Sequence, residues 1–199
     1  MLLSVMGSQG SGKTTVLKRL AELGYPTVAR KTSRSILEDW GVTLSEVNNN
    51  HELTVKFQDE ILKRKYEDEK FAADVSAQVW FTERTYIDLF VYSLVSLGKD
   101  NEYSDWLNEY HNKCMKHMRS YSHVFYLRGG LFDVEHDGVR GTNRHYSNMV
   151  DMSMKYYLQG CDAITPGRVT YIDASNLEER IEIILPYAQD TINGEINAS

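Results

Sequence analysis

The sequence predicts an α/β fold of three layers, with helices on both faces of a five-stranded parallel sheet. Three observations carry this reading. Five short apolar runs of β type recur along the chain, amphipathic helical stretches lie between them, and a glycine-rich turn joins the first run to the first helix. Strands that alternate with helices are joined by right-handed crossovers, so the strands lie parallel and the helices cover the sheet. Ligands on such a sheet bind beyond the carboxyl ends of the strands, and the residues after each run are where chemistry is expected.

The elements follow in order. Leu2–Met6 is the first apolar run. After the glycine turn, Lys13–Leu23 places Val16, Leu17, Leu20 and Leu23 on one helical stripe, and Gly24 stands where that helix ends. Tyr25–Ala29 reads as a second short strand, and Thr32–Trp40 as a helix stopped by Gly41. Leu44–Asp74 is polar, with Leu53, Phe57, Ile61 and Leu62 at helical spacing. Val79–Thr82 is the third strand, Asp88–Leu97 a very apolar helix, and Trp106–Met118 an amphipathic one. His123–Leu127 is the fourth strand. Arg128–Ser147 has no apolar periodicity and carries glycines at 129, 130, 138 and 141. Irregular stretches of that length in compact domains are functional loops or disordered, and this one reads as a lid over about 128–148. Met149–Leu158 is helical, Val169–Ile172 the fifth strand, and Leu177–Leu185 a closing helix.

Composition bounds the function. A chain of 199 residues is a single domain, residues 1–199. Hydrophobic residues make up 42% and charged residues 25%, as in ordinary globular proteins. With 22 basic and 28 acidic side chains, net charge −6, the chain is no generic nucleic-acid coat, although one basic groove remains compatible. No stretch approaches the ~20 apolar residues of a membrane span, and the first residues lack a basic, apolar leader. Cys114 and Cys161 are isolated, which suits reduced thiols in a cytoplasmic protein. The six histidines show no zinc-ligand spacing.

Gly7-Ser8-Gln9-Gly10-Ser11-Gly12-Lys13-Thr14 matches G-x-x-x-x-G-K-[ST] in full, between an apolar strand and an apolar-striped helix. From average composition the bare pattern arises in roughly one chain of this length in a hundred. Glycines let the backbone wrap a phosphate with its N–H groups inward, and the helix start aims its positive dipole end at the same anion. Lys13 then bridges the outer phosphates, and the Thr14 hydroxyl holds Mg²⁺, with Thr15 next in the donor site. The expected fold is thus a P-loop NTPase fold, and since kinases, GTPases, ATPases and helicases all use this loop, the motif alone leaves the reaction and substrate open.

The third strand ends in Phe81-Thr82-Glu83-Arg84-Thr85, with Asp88 one helical turn on. A carboxylate beside the glycine loop can hold Mg²⁺ or take a proton from an attacking hydroxyl. An adjacent arginine can hold an acceptor phosphate or the transferring group. Glu83 and Arg84 are therefore the catalytic candidates beside Lys13, with Arg84 and Asp88 also read toward the substrate. Tyr86 and Trp80 are sized to stack on a base, with core packing the favoured role for Trp80.

Together the glycine loop, Glu83-Arg84-Thr85 and the late arginine-bearing loop resemble P-loop nucleoside and nucleotide kinases. The thymidylate-kinase group carries Asp-Arg at that strand end, and the deoxynucleoside-kinase group Glu-Arg-Ser. Tyr121–Arg140 resembles small AAA-type P-loop proteins that include ribosylnicotinamide-kinase-like domains. The resemblance implies lid arginines among Arg128, Arg140 and Arg144, with Arg140 and Arg144 catalytic and Arg128 at the nucleotide. It also implies an adenine-contacting loop at Asp173-Ala174, the alternative being a plain helix start capped by Ser175 or Asn176.

One departure shapes the expected acceptor. Relatives place a Glu after the second strand, as base for a sugar hydroxyl. Here the stretch is Ala29-Arg30-Lys31-Thr32-Ser33-Arg34, and cations at a helix start bind anions. Arg30, Lys31 and Arg34 point to an acceptor that already carries phosphate. The expected activity is transfer of the ATP γ-phosphoryl group to a small phosphorylated nucleotide, foremost a deoxynucleoside monophosphate. Alternatives are a kinase acting on a hydroxymethylated base within DNA, as in phage DNA modification, and a nucleoside-type kinase or regulatory NTPase. Helices such as Leu53–Asp74 and Asp88–Leu97 offer a homodimer face, or equally a buried core.

Overall fold

The computed structural model describes residues 1–28, 32–75, 78–129 and 144–192. Among them, four strands form one parallel sheet: β1 (Leu2–Met6), β2 (Trp80–Glu83), β3 (His123–Leu127) and β4 (Val169–Ile172), in the order β2-β1-β3-β4. Leu3 pairs with Phe81 on one side and with His123 on the other, which makes β1 central.

Every residue of β1 and β3 is buried, so both read as continuous apolar runs rather than alternating ones. Their side chains still divide by the two-residue period of a strand. Leu3, Val5, Phe125 and Leu127 pack with Val16, Leu17 and Leu20 of α1 (Lys13–Glu22) and with Ile181 and Ile184 of α8 (Leu177–Ile192). Leu2, Met6, Val124 and Tyr126 pack on the opposite face. Their neighbours there come from α5 (Tyr86–Leu97), α6 (Ser104–Met118) and α7 (Arg144–Ile164). Burying each such side chain is worth about 1.5–3 kcal/mol. A third, smaller cluster of Ile36, Val47 and Phe57 joins α2 (Thr32–Trp40), α3 (Leu44–Asn48) and α4 (His51–Val75).

Several expectations are corrected. Among the described residues the sheet has four strands rather than five. The stretch from Tyr25 makes one parallel bridge, Thr27 with Phe81, supported by Phe81 N–H to Pro26 O at 2.9 Å and Val28 N–H to Phe81 O at 2.7 Å. Pro26 has no N–H to extend the ladder. Leu44–Asp74 is two helices: a Thr43–Glu46 capping box starts α3, and Asn50 accepts from the Leu53 N–H where α4 begins. Helix α7 is described from Arg144, so residues 144–148 of the expected lid are helical, and its residues 130–143 lie outside the described set. Helix α8 runs beyond Leu185 to Ile192 through Pro186. No described helix is long and apolar enough to cross a membrane.

Candidate active site

The chain reverses its direction of travel across the sheet at β1, because β2 lies to one side of it and β3 to the other. The glycine loop emerges at that switch point, where open α/β sheets bind ligands. Gly7 has φ +147°, and a Cβ there would meet the Leu127 carbonyl oxygen at 2.5 Å. Only glycine lets the loop pass so close to the end of β3. Gly12, at φ +86°, is the N-cap of α1 and makes no side-chain cap bond, so the helix start faces the loop through its own N–H groups. The Lys13 ammonium is buried under the loop and donates to Gly7 O at 2.8 Å and Ser8 O at 2.9 Å. Thr14 and Thr15 are exposed on the first turn of α1.

The Thr14 hydroxyl donates to Glu83, with Oε1 at 3.3 Å and Oε2 at 3.4 Å, so the last residue of β2 meets the glycine loop. Arg84 follows at φ +68°, a left-handed conformation that costs a non-glycine residue about 1–3 kcal/mol. Its own main chain is held there: Arg84 N–H donates to Val5 O at 2.9 Å, and the Ser4 hydroxyl to Arg84 O at 2.7 Å. The guanidinium lies over the Tyr92 ring at 5.2 Å. Burial pulls its pKa down, but Tyr92, Asp88 and Glu83 push it up by more, and it stays a cation.

Behind this strand end lies a buried charged network that sequence reasoning missed. Lys65 and Glu69, one turn apart on α4, pair at 2.7 Å with side chains 9% and 4% exposed. Lys65 Nζ also donates to Glu83 O at 3.1 Å, while Glu69 accepts from the Thr82 hydroxyl at 2.9 Å and from the Tyr121 hydroxyl at 3.0 Å. Burial, then the Glu69 charge, raises the Tyr121 pKa well above its usual value, so the phenol stays a donor. The signal was present: Lys65 and Glu69 continue the stripe of Phe57, Ile61 and Leu62 at helical spacing.

A family model described as AAA domain matches residues 3–180. The chain belongs to that AAA domain family. No curated protein matches it. Among solved structures, it is similar to deoxyadenosine kinase from M. mycoides with products dCMP and a flexible dCDP bound. That likeness has TM-score 0.71 and 16% identity, covering 96% of this chain and 100% of that one. It is also similar to NadR protein in complex with NR, TM-score 0.72 and 16% identity, covering 94% of this chain and 51% of that one. A second NadR structure, with NAD and AMP-PNP, gives TM-score 0.69 at 14% identity, covering 94% and 49%. The AAA domain thus has the P-loop fold of these kinases.

Other expected residues of this AAA domain fall as follows. Arg128, just after β3, approaches Asp173, just after β4, at 4.0 Å, both exposed. Ala174 is bound through its carbonyl by Arg180 of α8 at 2.7 Å. Arg34 lies half-buried on α2, and Arg144 is exposed at the first residue of α7. Arg30, Lys31 and Arg140 lie outside the described residues. Asp88 is wholly buried and closes a capping box with Thr85, whose N–H reaches Asp88 Oδ2 at 2.7 Å. That oxygen is therefore occupied by the helix start. Tyr86 is core, 1% exposed and stacked on Tyr121, which corrects its reading as a base platform. Trp80 packs against the same core.

Helix α7 also touches the loop. The Ser8 hydroxyl donates to Asp151 Oδ1 at 3.0 Å, and the Tyr126 hydroxyl shares that oxygen. A Cβ on Gly129 would meet Ser8 Oγ at 2.0 Å and Asp151 Oδ1 at 2.5 Å. Nothing in the spacing around Asp151 announced this contact, which joins positions 143 residues apart.

Proposed function

We propose that the chain is an ATP-dependent phosphotransferase acting on a nucleoside or nucleotide, with a deoxynucleoside monophosphate as the first-choice acceptor. The observation that carries the reading is the 3.3 Å approach of Glu83 to Thr14, beside a glycine loop that buries Lys13. In this reading Lys13 neutralises charge on the outer phosphates. Arg84, kept cationic and braced on Tyr92, is the group for the transferring or acceptor phosphate. Arg128 and Asp173 border the strand ends on the side assigned to the nucleotide base. Arg140 and Arg144 remain the lid arginines of the proposal.

Mg²⁺ fits the donor set: a hydroxyl and a carboxylate, both oxygen, beside a loop suited to phosphates. Thr14 and Glu83 would hold it, and when bound it supplies positive charge to the phosphate oxygens. Where the acceptor is a hydroxyl, Glu83 can also hold the departing proton.

The monophosphate choice rests on Arg30, Lys31 and Arg34. A nucleoside acceptor is the second reading, favoured by the fold likeness to a deoxyadenosine kinase with dCMP as product and to NadR with NR. One assay separates them: labelled ATP with nucleosides, deoxynucleoside monophosphates, and duplex DNA bearing hydroxymethylated pyrimidines. Labelled diphosphate supports the first reading and labelled monophosphate the second. Label in DNA alone, or ATP hydrolysis without transfer, overturns both.

A further inference from the structure

Arg180 is the largest fully buried side chain among the described residues, 2% exposed, and it belongs to no motif of the sequence. It projects from the first turn of α8, a helix whose Glu178 N–H is capped by Asn176 Oδ1 at 2.8 Å. Ile181 and Ile184 seat this helix on α1, and an Arg19–Glu178 pair at 3.1 Å links the two. The guanidinium then spans two loops. Nη1 donates to Ser11 O at 2.6 Å, and Nε donates to Ala174 O at 2.7 Å. Ser11 belongs to the glycine loop, and Ala174 to the connection after β4.

The consequence is geometric. The described residues contain no cis peptide bond, and in a trans peptide the C=O and the following N–H point opposite ways. Holding Ser11 O from the α8 side therefore turns the Gly12 N–H away from Arg180. If the loop binds phosphate, that N–H is one of the donors offered to it. A buried cation behind the loop also adds positive potential at an anion site. Two carbonyls on one planar fork leave little freedom in the spacing of the two loops.

We propose that Arg180 is a positioning residue of the donor-nucleotide site, aiming the Gly12 N–H into the phosphate loop and fixing the distance from that loop to the one after β4. The proposal rests on the reading of these loops as the ATP site. It makes phosphate grip and base grip interdependent, because one side chain holds both.

The test uses the full chain, Arg180→Lys and Arg180→Met, with binding of ATP and of inorganic tripolyphosphate measured by calorimetry and melting followed in parallel. Lysine keeps a charge and a stem but cannot fork onto two carbonyls. The expected result for Arg180→Lys is ATP binding at least about tenfold weaker, the scale of one charge-assisted hydrogen bond. The preference for ATP over tripolyphosphate should shrink with it, while the acceptor KM stays that of the wild type. Arg180→Met should weaken ATP more; should it fail to fold, Arg180→Lys decides alone. A lower melting temperature with unchanged ATP affinity and unchanged preference overturns the proposal and leaves Arg180 a fold residue. Absence of ATP binding by the wild-type chain overturns the donor-site reading instead, and the proposal with it.

Discussion

Glu83 meets Thr14 across 69 positions of sequence, and its carboxylate accepts from the Thr14 hydroxyl of the glycine loop. Glu83→Gln keeps the shape and removes the charge. A fall in kcat of at least ~10²-fold is expected, the usual scale for one electrostatic or general-base contact. Unchanged kcat with an earlier melt would assign the residue to structure. His123 gives a second prediction at this scale. Burial lowers its pKa from 6.5 to about 4, and its ring nitrogen meets Thr170 Oγ1 at 2.8 Å. The unfolded chain binds this proton more readily than the folded one, so stability is full above pH 6.5 and is lost as pH falls toward about 4. Urea midpoints at pH 7.5 and 5 should separate for the wild type, and the gap should narrow in His123→Gln.

Helix α4 carries a charged pair inside a core, and burying charge is favourable only when pairing is complete. Lys65 has Glu69, Thr82 and the Glu83 carbonyl; Glu69 has Lys65, Thr82 and Tyr121. Lys65→Met removes the cation and strands a carboxylate, with an expected cost of about 3–5 kcal/mol in chemical denaturation. Removing both charges in Lys65→Met/Glu69→Leu should cost less than the single change, since no unpaired charge remains. If the double variant is the worse of the two, the pair is a net source of stability rather than a device for holding the β2 end. The same element explains how Arg84 keeps its left-handed backbone: Lys65 holds the carbonyl before it, and Ser4 the carbonyl of Arg84 itself.

The whole molecule ties the end of β2 to the glycine loop through Thr14 and Glu83, and the β4–α8 connection to the same loop through Arg180. Replacing Arg30 and Arg34 with Ala should raise the acceptor KM more than about tenfold and spare the ATP KM, if these cations bind an acceptor phosphate. Salt then reports the size of the acceptor. A polymer held through Z phosphates loses affinity with a log–log slope near −0.9Z, whereas a free monophosphate shows a shallow dependence. A double variant with unchanged KM for every acceptor would reduce the basic stretch to a solvated helix start.

The phosphate loop was legible in the sequence because it is local: eight consecutive residues carry the glycines, the lysine and the hydroxyl, and the flanking apolar periods place them between strand and helix. The α/β class followed from the same local periodicity, as did the ends of Thr32–Trp40, His123–Leu127 and Val169–Ile172. Tyr25–Ala29 looked as strand-like as these, yet pairing needs a partner and a full set of N–H donors, and at Pro26 one is missing. The Thr85–Asp88 spacing is local, yet that Asp88 lies wholly buried with Oδ2 given to the cap is decided by how α5 packs. Lys65, Asp151 and Arg180 each act on a residue between 18 and 169 positions away. No sequence period encodes such distances. They are set when the sheet twists, the helices close over it, and each buried charge has to find the partners that the fold brings within hydrogen-bond reach.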